Sequence, residues 1–205
     1  MVDSYLRQSA LAPLHLLARA NTGAADNPDA GLTMGERAFR NQWVVRGQAD
    51  NDVFAAAIKQ VTGSELPLAA NTVHSTGYID VLWQGPDEWL VVAPDGSDAG
   101  PRLAEALKDI HAAVTDVSES RTVIVLSGDH ARDVLAKGCA LDLHPDKFAV
   151  GDCAQSTLAH IHIILQLRSD TPEFDVYVHR SFAESLWLWL EDAAAEYDFT
   201  VSNPA

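Results

Sequence analysis

Tyr78-Ile-Asp-Val-Leu-Trp83, Gln84-Gly-Pro-Asp87 and Glu88-Trp-Leu-Val-Val-Ala93 form the stretch on which the reading of the fold turns. Both outer runs are rich in β-branched and aromatic residues, and Gly85 and Pro86 punctuate the four residues between them. The stretch therefore reads as an antiparallel hairpin. Upstream, Val53, Phe54, Ala57, Ile58 and Val61 fall on one face of a helix that Asp50 or Asn51 can cap and Gly63 can stop. Before that helix, Phe39–Gln48 carries Trp43, Val44 and Val45 and reads as a strand. After the hairpin, a helix is expected from about Pro101 to His111, with Leu103, Ala106, Leu107 and Ile110 facing inward and Pro101 in its first turn. The order is strand, helix, hairpin, helix.

The remainder of the chain repeats that order without repeating the residues. Arg121–Ser127 (RTVIVLS) reads as a strand continuous with Val114–Ser118 apart from a bend, and Asp129–Lys137 as a short helix stopped by Gly138. Thr157–Leu167 and Phe174–His179 read as two strands joined through Pro172, and Ser181–Tyr197 as the last helix, opened by the capping box Ser181-Phe-Ala-Glu184. Phe199–Val201 suits a final short strand. The expected fold class is α+β: two related strand-helix-hairpin-helix halves of the ferredoxin-like, split βαβ kind, with antiparallel-rich sheets and helices packed on them. The halves are drawn at about 33–118 and 119–205 of a compact domain spanning 33–205. Residues 1–32 read as an arm and linker, because Pro13 interrupts the apolar stretch Ser9–Ala20 and Asn21–Gly31 (NTGAADNPDAG) is loop-forming.

The whole-chain numbers narrow the function classes. With 29 Asp and Glu against 14 Lys and Arg, the formal net charge is −15, which argues against phosphate backbones and anionic lipid as partners. The N-terminal stretch lacks the pattern of a secretory signal and no apolar run reaches membrane-span length, so a cytoplasmic location and no membrane partner are expected. Cys139 and Cys153 are too far apart in sequence for a CxxC pair; a disulfide between them is geometrically possible, but they read as two small half-buried residues in a reducing compartment.

Motifs for chemistry are sparse. Neither GxxxxGK[ST], nor GxGxxG after a strand, nor GxSxG occurs. His160 and His162 lie two apart on an expected strand, and His179 on its neighbour could approach them. Three imidazoles could hold zinc, but no carboxylate follows at a ligand spacing. Asp116-Val-Ser-Glu-Ser-Arg121 is a polar bend in which Arg121 can pair locally with Asp116 or Glu119, or with a carboxylate on a partner. No catalytic, cofactor or metal residue is assigned. In the last helix, Phe182, Leu186, Trp189, Leu190, Ala193 and Tyr197 form the expected core stripe. Trp187 lies at its edge and Leu188 on the opposite side, so Trp187, Leu188 and Arg121 are the candidate subunit-contact residues.

Six stretches carry a family resemblance: Gly85–Val92, Asp116–Gly128, Ala131–Cys139, Leu141–Pro145, Gly151–Ala159 and Val178–Leu190. In their order and joint presence, across roughly residues 78–197, they resemble the gamma subunit of heterotetrameric sarcosine oxidases. The resemblance implies a fold similar to the folate-binding region of the glycine-cleavage aminomethyltransferase. It also implies a complex that oxidatively demethylates sarcosine to glycine, with tetrahydrofolate or water accepting the one-carbon unit and oxygen reduced to peroxide. Alpha, beta and delta subunits are the implied partners. FAD, FMN, NAD, zinc and tetrahydrofolate are expected on those sister chains and none on this one, which then has no activity alone. Two other readings remain open from sequence: a stand-alone folate-binding aminomethyltransferase-like enzyme, and a generic α+β interaction module.

Overall fold

The computed structural model describes residues 6–20 and 31–203; the expected linker Asn21–Gly31 falls almost wholly outside them. The hairpin forms as read. Strands β4 (Asp80–Gly85) and β5 (Glu88–Ala93) pair antiparallel with Val81 opposite Val91, Leu82 opposite Leu90 and Trp83 opposite Trp89. Strand β2 (Asn41–Gly47) lies on the other side of β5, then β6 (Ala112–Asp116), and the short β3 (Val73–Ser75) edges β4. This gives a five-stranded sheet in the order β3-β4-β5-β2-β6. Helices α2 (Asp52–Thr62) and α3 (Ala99–Ala106) cover one face of it, burying Phe54, Ile58 and Leu103 against Trp43, Val45, Val81 and Trp89. Asn51 caps α2 by accepting from the backbone N–H groups of Val53 and Phe54 (2.9 and 3.2 Å). Gly63, at φ 76°, ends it in the left-handed conformation that glycine adopts freely. Helix α3 starts and stops earlier than its apolar spacing predicts. Leu103 and Leu107 face inward as expected, but Ala106 is exposed.

The second half builds the same sheet with one strand added. Strand β7 (Arg121–Ser127), helix α4 (Ala131–Ala136), strands β8 (Cys153–Leu158), β9 (Ile161–Ser169) and β10 (Glu173–His179), helix α5 (Ala183–Ala194) and strand β11 (Phe199–Ser202) follow in the order of their first-half counterparts. The sheet order is β8-β9-β10-β7-β1-β11, so β1 (Leu32–Arg37) is wedged between the equivalents of β2 and β6. It pairs antiparallel with β7 and parallel with β11. A strand counted with the first half by sequence thus completes the second sheet. Helices α4 and α5 cover the outer face of this sheet, and its inner face packs on the first sheet through Val73, Leu82, Leu90, Val92, Val123, Ile164 and Tyr177. The layers run helices, sheet, sheet, helices. The arm joins the outer core: Leu11 and Leu16 are buried there, with helix α1 (Leu16–Ala20) beside β11.

Three boundaries differ from the sequence reading. First, Val114–Ser118 and Arg121–Ser127 are not one bent strand but members of different sheets. The chain crosses over at Ser118, whose N–H and hydroxyl both donate to the Asp116 carboxylate (2.9 and 2.6 Å). Second, Thr157–Leu167 is two strands, β8 and β9, closed by Ala159 and His160 at φ 51° and 67°. That tight hairpin turn lacks the Asn and Gly residues that usually mark one. Third, no side-chain cap forms at Ser181. A single 3₁₀ turn over Arg180–Phe182 leads into α5 instead.

Candidate functional site

Strand register decides which side chains share the inner face of the six-stranded sheet. Arg121 on β7 stands opposite His179 on β10, and Val178 stands opposite Ile163, so the next residue outward places His162 of β9 beside His179. Thr157 of β8 completes the row opposite His162. The next row holds Val123, Tyr177, Ile164 and Gln155, and the one after it Val125, Asp175, Gln166 and Cys153. The last two rows lie under the five-stranded sheet. The first emerges at its rim, and there a groove of about 330 Å³ opens, lined among others by Arg121, His160, His162, His179 and Phe182. The histidines and Phe182 are exposed, and Arg121 is half-buried. Burial pushes the Arg121 guanidinium below its ordinary pKa, and the charge of Glu88 partly offsets this. Glu88 itself pairs with Arg46 at 3.2 Å.

The inner rows are arranged differently. Asp175 is almost fully buried and accepts from Arg37 and from Arg168 (3.1 Å), while Arg168 also reaches Asp80 (2.5 Å) and Arg37 reaches Glu173 (2.7 Å). Tyr177 donates to Gln166 at 2.8 Å. Burial pushes the Asp175 carboxyl and the Tyr177 phenol upward, and Asp175 and Asp80 raise Arg168 despite its own burial. The space left beside this network, next to Arg40 and Tyr78, is about 20 Å³.

The remaining sequence candidates separate. Trp187 is corrected from the edge of the stripe to the core. It is 0% exposed, and its indole N–H donates to Glu191 at 2.7 Å. Phe182 lies in the 3₁₀ turn before α5 and stays outside, and within α5 Ala183, Leu186, Trp187, Leu190, Ala193 and Ala194 face the sheet. Leu188 is 49% exposed on the outward side of α5. It therefore lies over the opposite face of the sheet from Arg121, and the two do not form one patch. His160 sits in the β8–β9 turn and not on a strand, so it does not share a strand face with His162. Among the described residues no group of three or more His, Cys, Asp or Glu is placed to hold a metal ion. Cys139 and Cys153 are free and buried, and burial pushes the Cys153 thiol up to about 12. No helix among the described residues is long and apolar enough to cross a membrane.

Residues 46–196 match the model of the sarcosine oxidase gamma subunit family. The chain belongs to that family. It is 38% identical over 166 residues to the sarcosine oxidase subunit gamma of Corynebacterium sp. strain P-1, covering 79% of each chain. It is 34% identical over 199 residues to that of Corynebacterium sp. strain U-96, covering 96% of this chain and 95% of the relative. The fold matches a chain of the heterotetrameric sarcosine oxidase from Corynebacterium sp. U-96, solved in complex with pyrrole 2-carboxylate, with a TM-score of 0.84 and 32% identity over 98% of this chain and 100% of that one. Glycine cleavage system aminomethyltransferase T from Bartonella henselae shares the fold, with a TM-score of 0.69 at 13% identity over 96% of this chain and 59% of the enzyme. The doubled α+β architecture of this gamma-family chain is thus the aminomethyltransferase-like one that the sequence resemblance implies.

Proposed function

We propose that this chain is the gamma subunit of a cytoplasmic heterotetrameric sarcosine oxidase, which it serves by holding sister subunits, with the oxidation of sarcosine carried out elsewhere in the complex. The reading rests on the end-to-end match to a chain of a heterotetrameric sarcosine oxidase. The interior supports it as well. Where the two sheets meet, five ionised side chains satisfy one another and leave about 20 Å³, room for about a single water, so that space serves cohesion between the sheets. The complex would demethylate sarcosine to glycine, passing the one-carbon unit to tetrahydrofolate or water and electrons to oxygen. Its alpha, beta and delta subunits would be the partners. Arg121 and Leu188 mark two separate surfaces on which those partners would sit.

The test is co-expression with the genes for the large flavin-binding subunits. The tagged chain should co-purify with them in fixed ratio, and sarcosine-dependent peroxide formation should follow the complex and not the isolated chain. Sarcosine oxidation by the chain alone, or a stable and fully active complex lacking it, would overturn the reading. Calorimetry of the isolated chain with tetrahydrofolate should give no heat of binding; saturable binding would favour the stand-alone folate enzyme instead.

A further inference from the structure

We propose that the groove at the rim of the inner sheet face is a socket for a carboxylate side chain of a neighbouring subunit. The Arg121 guanidinium takes the carboxylate, His179 and His162 flank it, and Phe182 packs against the apolar part of the incoming segment. The inference rests on the reading of the chain as a subunit of a larger complex, and it specifies what one of its contact surfaces receives.

Arg121 carries the argument. Its guanidinium offers five donors in a planar fork suited to a carboxylate. Among the described residues, no carboxylate or carbonyl accepts a hydrogen bond from it. Three arginines elsewhere in the interior are engaged: Arg37 and Arg168 with carboxylates, Arg132 with the backbone carbonyls of Leu143 and Phe148. The charge of Glu88 acts on Arg121 against its burial, but that carboxylate is held by Arg46. Arg121 is partly withdrawn from water, and a docked carboxylate would give its guanidinium a charge-assisted hydrogen bond in that setting.

The surroundings select the occupant. The chain carries 29 acidic residues, yet among the described residues none lines the groove. Arg121, His179 and His162 stand side by side on adjacent strands, so the three side chains span about 10 Å at a strand spacing of about 4.8 Å. Each imidazole can donate to an oxygen of the same carboxylate or of its backbone. Phe182 is 51% exposed at the mouth, leaving an aromatic surface beside a cationic floor. Arg and aromatic residues are the side chains enriched where protein partners anchor. A volume of about 330 Å³ holds a Glu or Asp with the residue beside it. The long-range field of a chain at −15 opposes an acidic partner, so the attraction has to be short-range and confined to this opening.

The experiment uses the co-expressed complex with the partner subunits tagged. Arg121→Glu should lower recovery of this chain roughly tenfold or more, because it sets like charges against each other in a desolvated contact. Arg121→Lys should keep the charge but lose the fork and recover an intermediate amount. The double variant His162→Ala, His179→Ala should weaken recovery by a smaller factor. Each isolated variant should melt within a few degrees of the parent chain, which shows that the fold is intact. Recovery of Arg121→Glu and of the double variant at parent stoichiometry, at about 0.3 M salt where unspecific attraction is screened, would overturn the proposal. So would calorimetry showing that the isolated chain binds inorganic phosphate through Arg121 while assembly of Arg121→Glu is unaffected, since the groove would then be a small-anion site. Failure of the parent chain itself to co-purify would instead reject the subunit reading on which the socket rests.

Discussion

Asp175 and Arg121 project from the same face of the same sheet, Asp175 in the row where the sheets are closed together and Arg121 in the row where they part. Around Asp175, Arg37 and Arg168 meet three carboxylates within the chain. Around Arg121, the described residues supply imidazoles, an exposed aromatic ring and no accepting carboxylate. The inner cluster has its counter-ions built in and acts on folding. The outer one is incomplete by a single anion, and its energetics depend on what docks. The difference separates charge that stabilises the subunit from charge that recognises another.

Removing Asp175 should break the comparison most strongly. Asp175→Ala leaves Arg37 and Arg168 buried without the carboxylate they share, and should destabilise the chain by about 3 kcal/mol or more in urea denaturation. Arg121→Gln in the isolated chain should change stability by no more than about 0.5 kcal/mol, because among the described residues there is no hydrogen-bonded partner to lose. If the two substitutions cost the same, the closed and open rows are not energetically distinct.

Cys153, in the same row as Asp175, gives a pH test of how dry that interior is. Its thiol is pushed up to about 12 in the folded chain, above its value when unfolded, so the folded state holds its proton longer. The stability this brings is complete below about pH 9 and is lost as pH rises toward 12, at roughly 1 kcal/mol per pH unit. Stability curves of the parent chain and Cys153→Ala between pH 8 and 11 should therefore converge as pH rises. Parallel curves would mean that water reaches the row.

How much of this is legible in the sequence follows from how local each signal is. The β4–β5 hairpin and α2 read correctly because a Gly-Pro turn, an Asn cap and a left-handed Gly act within a few residues of the elements they bound. Strand β1 does not read as a strand, because Gly35-Glu36-Arg37 look like solvent-facing residues. They are acceptable in a central strand only because Thr122 donates to Glu36 (2.6 Å) and Arg37 meets Asp175, partners far away in the chain. The β8–β9 turn is hidden for the opposite reason: Ala159 and His160 adopt positive φ without the residues that usually announce it, and an error of two residues there moves His160 off the strand. Arg121 is visible as a polar residue at the start of a strand. Its groove is not, since His162 and His179 reach it only through a register that no single strand encodes.

Leu188 offers the smallest and most discriminating change. Helix α5 is held to the sheet by Ala183, Leu186, Trp187, Leu190 and Ala194, so the exposed Leu188 contributes little to that packing. Leu188→Ser should alter folding stability by about 0.5 kcal/mol or less, against about 3–5 kcal/mol for Trp187→Ala one position earlier. An exposed leucine alone is ordinary on a protein surface, and assembly decides whether this one has a role. If a sister subunit covers α5, Leu188→Ser should reduce co-purification a few-fold, and its effect should multiply with that of Arg121→Glu, because the two residues lie over opposite faces of one sheet and act independently. If Leu188→Ser leaves co-purification unchanged while Arg121→Glu abolishes it, the contact surface is confined to the open row, and the outer helix faces solvent in the complex as it does in the free chain.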